Sequence, residues 1–260
     1  MTGTVSGLFD LTGRVAIVTG GSRGLGLQIA RALGEFGASL ALVARKKAEL
    51  DTAVEDLAAA GRTAVGFVAD LGTPEEISRV TERVLEHFGR IDILVNNAGA
   101  TWGAPAEDYP LSGWNKVLGL NVTGLFLLTQ AVARRAFLEQ GKGVVINVAS
   151  VEGLQGHHPD RLGTIAYNTA KGAVVNMTRA LAAEWGPRNI RVNALAPGFF
   201  PSKMTAATLE QYGAEAVQQT PLGKLGGDTD LMGPAVLLAS DAGAHITGQT
   251  IVVDGGASII

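Results

Sequence analysis

The sequence predicts an α/β fold, a doubly wound parallel seven-stranded sheet with helices on both faces, and three observations predict it. Seven short β-branched runs are almost wholly apolar, longer amphipathic segments alternate with them, and the residues with chemical character cluster just after the runs. An unbroken apolar run suits a strand covered on both faces, and repeated strand, helix, strand order gives parallel neighbours joined by right-handed crossovers. In such a sheet, ligands bind beyond the carboxyl ends of the strands, where the strand order reverses.

The first run, "RVAIVT" at 14–19, precedes a helical segment at 25–36. "SLALVA" (39–44) precedes a helix at 48–60, and "TAVGFVA" (63–69) precedes one at 74–88. "IDILVN" (91–96) leads into a long helical stretch from about 112 to 140, "GVVINV" (143–148) into a helix at 165–184, and "IRVNAL" (190–195) into a helix at 231–240 before the last run, "TIVVD" (250–254). Each segment is assigned by the spacing of its apolar residues. Residues 199–222, rich in Ala, Thr and Gln, are expected to form a mobile lid over the substrate. No Pro/Ser-rich linker or block of charge divides the chain, so one dinucleotide-binding and catalytic domain is expected over 1–260.

The 260 residues are 47% hydrophobic and 17% charged, the balance of a compact globule. A net charge of -3 gives no field to gather nucleic acid or an anionic membrane. The opening "MTGTVSGLFDLTGR" has no basic flank before an apolar core, and no uninterrupted apolar run approaches the roughly 20 residues that span a bilayer, so a cytoplasmic protein without a membrane span is expected. The absence of cysteine removes thiol nucleophiles, disulfides and thiolate metal sites together.

After the first strand, "TGGSRGLG" sets Gly20, Gly24 and Gly26 at GxxxGxG spacing. Glycines there permit a tight turn, and the new helix aims free N–H groups and its dipole at a pyrophosphate. The expected contacts are Gly20, Ser22, Arg23, Gly24, Leu25 and Gly26. The second strand ends "ALVARKK", so Arg45 stands where a carboxylate would otherwise receive the ribose hydroxyls. Arg45 and Arg23 can grip a 2′-phosphate by charge-assisted hydrogen bonds, which favours NADP(H) over NAD(H), although the basic run could also only solvate a helix start. Asp70, followed by Leu71, could accept a hydrogen bond from the adenine amine or cap the next helix.

"YNTAK" places Tyr167 and Lys171 one helical turn apart, in a chain with only three tyrosines. A cation beside a phenol favours the phenolate, and a phenol tuned toward neutrality can exchange a proton with a carbonyl or alcohol oxygen. Ser150, ending the fifth strand, can hold the same oxygen, or serve as a cap. Asn121, a poor residue for a helix interior, carries an amide that could hold a relay water, or be a satisfied core amide.

In order, TGxxxGxG (19–26), Asp70, "NNAG" (96–99), Asn121, Ser150, YxxxK (167–171) and "PG" (197–198) resemble a short-chain dehydrogenase/reductase of the roughly 250-residue type, over nearly the whole chain. The resemblance implies a Rossmann-like oxidoreductase with Tyr167 as acid/base, Ser150 orienting the carbonyl, Lys171 binding the nicotinamide ribose and lowering the tyrosine pKa, and Asn121 in a proton relay. It further implies cofactor contacts at Asn97, Ala98, Gly99, Pro197, Gly198, Phe200 and Ser202, and a homotetramer. "NNAGATWG", "GWNKVLGLNV" and "APGFFPSKMT" are most similar to β-ketoacyl reductases like the enzyme of the rhamnolipid pathway. The expected substrate is therefore a 3-oxoacyl thioester or similar ketone. A sugar-acid or polyol dehydrogenase of the gluconate 5-dehydrogenase type is the alternative, and a non-catalytic dinucleotide-binding regulator the more distant one.

Docking an acidic carrier protein would want arginines beside the mouth; Arg188 matches one such position, but Gly141 holds the other. Ser150 and Tyr167 are also about four residues further apart than in many relatives, the excess falling in "GHHPDRLGT". This loop is expected to shape specificity. His157 and His158 within it have no clustered carboxylate or thiol, so no metal site is expected.

Overall fold

The computed structural model of the protein describes residues 4–156 and 163–260. Seven strands form one sheet: β1 (Val15–Thr19), β2 (Ser39–Ala44), β3 (Ala64–Val68), β4 (Ile93–Asn96), β5 (Gly143–Val148), β6 (Ile190–Pro197) and β7 (Thr250–Val253). Their order is β3-β2-β1-β4-β5-β6-β7, with every pairing parallel. The predicted fold class is the observed one. Its order reverses between β1 and β4.

Burial tracks position in the sheet. Every residue of β1, β4 and β5 is buried, which accounts for their almost wholly apolar runs. The outer strands depart from the expectation of two covered faces: β3 and β7 are largely half-exposed or exposed, because each has a neighbour on one side only. Successive side chains of β1 serve opposite layers, Ala16 and Val18 on one side and Ile17 on the other.

On the first side lie α1 (Gly24–Glu35), α2 (Lys47–Ala59) and the late helix Met232–Ala239, closing a core that includes Ile29, Leu33, Leu50, Leu57 and Leu238. On the other lie α3 (Pro74–Phe88), α4 (Leu111–Gln140) and α5 (Ile165–Trp185), whose core includes Val84, Leu128 and Phe137. A buried polar ladder ties that layer to the sheet. Asn96 Nδ2 donates to Thr129 Oγ1 at 2.8 Å and Asn147 Oδ1 at 2.9 Å, and Asn147 Nδ2 donates to Thr178 Oγ1 at 2.9 Å, so β4 and β5 are pinned to α4 and α5.

The α4 helix widens to π-type turns over Gly119–Gly124 and Ala133–Phe137. By length and composition it could cross a membrane, although Asn115, Lys116, Asn121, Gln130, Arg134 and Arg135 interrupt it, so it is not the uninterrupted apolar run that the sequence lacks. Leu128, Val132 and Phe137 of this helix nevertheless belong to the core.

The segment expected as a lid contains a helix that its composition did not announce, α6 (Ala206–Gln218). Only Ala216 of this helix is fully buried, and Leu209, Tyr212 and Val217 share its face half-buried, a stripe with little apolar bulk. The last helix in sequence, Met232–Ala239, is α7.

Candidate active site

The site is built at the carboxyl edge of the sheet, on both sides of the reversal between β1 and β4. Gly20 leaves β1 with φ 62°, a conformation that favours glycine, and a side chain there would meet Asn97 Nδ2 at 2.7 Å. At Gly26, a Cβ would collide with the Gly20 carbonyl and with Asn97 Nδ2. Gly26 therefore allows α1 to approach its own turn and does not line the cavities described below.

The loop after β4 is fastened to the glycine turn through Thr19. The buried Thr19 Oγ1 donates to the Val95 carbonyl at 3.2 Å and accepts from the Asn97 and Ala98 N–H groups at 2.8 and 2.9 Å. Asn97 Nδ2 returns a bond to the Thr19 carbonyl at 2.9 Å. Thus "TG" and "NNAG" are two halves of one joint, with the Asn97 side chain serving mainly as its brace.

Three cavities run consecutively along this edge. The first, about 130 Å³, is bounded by Ser22, Arg23, Arg45, Asp70, Leu71 and Glu49. The central one, about 430 Å³, is reached past Gly20, Arg23, Ala98 and Gly99, which line both, and is further bounded by Gly24, Leu25, Lys171, Pro197, Phe200 and Ser202. The outer one, about 340 Å³, shares Ser150, Tyr167 and Gly198 with the central cavity and extends to Phe199, Gln211 and Tyr212.

This trench fits a dinucleotide. Gly24, with φ 54°, has only Ser202 Cβ near a hypothetical side chain, at 4.0 Å, which keeps the cradle open. Arg23 precedes α1 without a side-chain cap to its first turn, so N–H groups there remain for a phosphate. Asp70 holds a local turn, its Oδ1 accepting from Gly72 N at 2.9 Å, and its other oxygen lies 4.0 Å from Arg45 Nη1.

Tyr167 and Ser150 stand together at the junction of the central and outer cavities and line both. Ser150 Oγ also accepts from Glu152 N at 3.2 Å, which fixes the serine at the end of β5. Lys171 Nζ donates to the Val148 carbonyl at 2.6 Å and lies 5.5 Å from the centre of the Tyr167 ring.

The electrostatics correct the expectation of a phenol already lowered by its neighbour. Burial pushes Tyr167 up to about 12; the hydrogen bond from Ser150 opposes this, and the Glu152 charge adds to it. Burial likewise pulls Lys171 down to about 8. In this state desolvation governs both groups, each being held toward its neutral form.

Asn121 is corrected as well. Its Oδ1 accepts from Ala100 N at 2.8 Å and its Nδ2 donates to the Ala100 carbonyl at 2.9 Å, so the amide braces the loop after β4 instead of facing the cavities. The widened turn Gly119–Gly124 carries it there. Arg188, at the amino end of β6, lies on the opposite edge of the sheet from the site and cannot stand beside its mouth within one chain. His157 and His158 lie outside the described residues, and no cluster suited to a metal occurs among the described ones.

Sequence reasoning missed Glu49, Glu152, Met204 and Gln211 as cavity residues. Glu49 resembles any exposed acid opening a helix, and Glu152 gains meaning through contacts that the fold makes, among them Asn168, whose Nδ2 donates to Glu152 Oε2 at 2.9 Å.

The chain belongs to the short-chain dehydrogenase/reductase family, NAD(P)-dependent oxidoreductases acting between CH–OH and C=O. The family model described as Enoyl-(Acyl carrier protein) reductase matches residues 20–258. The chain is 36% identical over 254 residues to gluconate 5-dehydrogenase of Gluconobacter oxydans, covering 97% of each. It is 40% identical over 254 residues to the rhamnolipids biosynthesis 3-oxoacyl-[acyl-carrier-protein] reductase of Pseudomonas aeruginosa, covering 95% of this chain and 97% of that one. Among solved structures, a gluconate 5-dehydrogenase from Burkholderia cenocepacia in complex with NADP and tartrate superposes with a TM-score of 0.93 at 33% identity, covering 99% and 100% of the two chains.

Proposed function

We propose that this oxidoreductase uses NADP(H) in preference to NAD(H) to reduce a ketone, a 3-oxoacyl thioester or similar keto substrate, with Tyr167 as general acid. The observation that carries the proposal is the meeting of Ser150 and Tyr167 where the central and outer cavities join, with the buried Lys171 beside the Tyr167 ring. Gly20, Ser22, Arg23, Gly24 and Leu25 would hold the pyrophosphate end, Arg45, Asp70 and Leu71 the adenosine end, and Asn97, Ala98, Gly99, Pro197, Gly198, Phe200 and Ser202 the path to the nicotinamide. When bound, the cofactor supplies the hydride.

The chain's own residues supply position and a proton. The Ser150 hydroxyl orients the carbonyl oxygen, and Tyr167, held neutral by its surroundings, has a proton to give as negative charge develops on that oxygen. Lys171 binds the nicotinamide ribose, and its cation stabilises the phenolate left behind. A relay water near Asn121 would have to use its backbone, because the amide is committed to Ala100.

Val151, Phe199, Met204 and Ala207 give the outer cavity an apolar side suited to an acyl chain. Thr101, Thr164, Thr208 and Gln211 give it a polar side, which favours a second reading as a sugar-acid or polyol dehydrogenase. Phe199, Met204, Thr208, Gln211 and Tyr212 all fall within 199–222, in keeping with a lid whose residues contact substrate. A cytoplasmic homotetramer completes the proposal; the exposed Phe126 on α4 and Ile165 on α5 supply apolar surface for subunit contact.

The test is a panel of 3-oxoacyl thioesters, ketoses and keto-sugar acids, each assayed with NADPH and with NADH. The highest kcat/KM is expected for a 3-oxoacyl thioester with NADPH. A clear preference for the sugars would establish the second reading, and no turnover of any carbonyl would reject both.

A further inference from the structure

The end of β2 lacks the acid that would receive ribose hydroxyls, but a carboxylate reaches the same cavity from the first turn of α2. Glu49 Oε1 accepts from Arg23 Nη1 at 2.9 Å and from Lys46 Nζ at 3.3 Å. Arg23 comes from the glycine turn and Lys46 from the end of β2, so one acid gathers cations from two separate loops. Desolvation works to raise the Glu49 pKa, yet the Lys46 hydrogen bond and the charges of Arg23, Lys46 and Lys203 outweigh it and hold the carboxyl below its usual range. Lys203 belongs to the segment after β6 and lines the central cavity. The second acid of this corner, Asp70, lies 4.0 Å from Arg45.

We propose that Glu49 is a cofactor-selecting residue, a carboxylate that engages the cations of the 2′-phosphate subsite and must yield them before the phosphate can bind. This rests on the reading of the trench as an NADP(H) site. With NADPH, Arg23 and Lys46 exchange one anion for another, and the displaced Glu49 remains near a phosphate of the same sign. With NADH no exchange is required, and the carboxylate stays on its cations, available to a ribose hydroxyl as an acceptor. Glu49 thereby narrows the preference for NADPH that the neighbouring cations create. The pairing is solvent-accessible, so its influence is screened by salt.

The experiment measures dissociation constants of NADPH and NADH by titration calorimetry for the full chain and for Glu49→Gln, at low and raised ionic strength, with circular dichroism confirming that the variant is folded. In Glu49→Gln the NADPH constant is expected to fall about 3- to 10-fold, a range that corresponds to removing one exposed like charge and freeing two donors. The NADH constant should remain within about twofold or rise, and the NADPH gain should shrink as salt is added. An unchanged NADH/NADPH ratio, or weaker NADPH binding, in a variant that still binds both dinucleotides overturns the role of Glu49 alone. A parent chain that binds neither dinucleotide overturns the cofactor reading and this inference with it. Should Glu49→Gln fail to fold, Glu49→Ser provides the same comparison.

Discussion

Lys171 Nζ lies 2.6 Å from the carbonyl oxygen of Val148, so the last peptide of β5 fixes a buried cation beside the Tyr167 ring. This placement makes Lys171 costly to charge. Its pKa in the folded chain is about 8, against a reference value of 10.5, so between those values the unfolded chain binds the extra proton and the folded chain does not. Stability contributed by this site therefore rises with pH across that interval. Measured without added dinucleotide by denaturant unfolding, the parent chain should gain on the order of 2–3 kcal/mol relative to Lys171→Met on going from below pH 8 to about 10.5. Parallel curves for the two proteins would refute the shift.

Tyr167→Phe removes the proton donor while keeping the ring. Turnover in the reductive direction is expected to fall about 10²- to 10⁴-fold, the usual worth of a positioned acid. Dinucleotide binding, followed by calorimetry, should change little. Retained turnover would remove Tyr167 from the chemistry.

Asn121→Ala should act through stability, because the Ala100 N–H and C=O both lose their partner. Leaving such groups unsatisfied costs about 1–3 kcal/mol. The check is an unfolding curve for parent and variant. An unaltered midpoint would mean that the loop after β4 does not depend on this brace.

Gly26→Ala puts a methyl group against the Gly20 carbonyl and Asn97 Nδ2, both of them parts of the joint between the glycine turn and the loop after β4. Overpacking of this kind costs about 1–3 kcal/mol. Dinucleotide affinity should fall together with the melting temperature. A variant with both properties intact would show that α1 can shift at no cost.

Much of this molecule could be read from its residues, for identifiable reasons. The fully buried strands β1, β4 and β5 announce themselves because burial on both faces favours apolar side chains, the polar exceptions Thr19, Asn96 and Asn147 each finding a buried partner. Tyr167 and Lys171 were legible because a helix places positions four apart on one face. The α6 helix was not, since the face it turns inward, Leu209, Tyr212, Ala216 and Val217, holds a single fully buried residue, a small one, in a segment dominated by Ala, Thr and Gln. The contact of Lys171 with Val148 spans 23 positions and uses a backbone atom, which no side-chain pattern encodes. The Glu49–Arg23 pair was hidden likewise, because Lys46 and Glu49 look like an ordinary pair on a helix surface until the fold brings Arg23 alongside.

The swollen turn at Gly119–Gly124 has a consequence for how this chain can vary in length. Each residue of a regular helix advances the azimuth by about 100°. A widened turn holds one residue more than a regular one, so excising a residue here would let the rod relax to ordinary winding while what lies beyond keeps nearly its orientation. The same excision within Leu125–Val132 would rotate the two ends of the helix against each other by that amount and take Leu128 or Val132 out of the core. The irregularity is thus a phase adjuster, and a single-codon deletion should be tolerated better here, at the cost of the Asn121–Ala100 brace, than in the regular turns that follow.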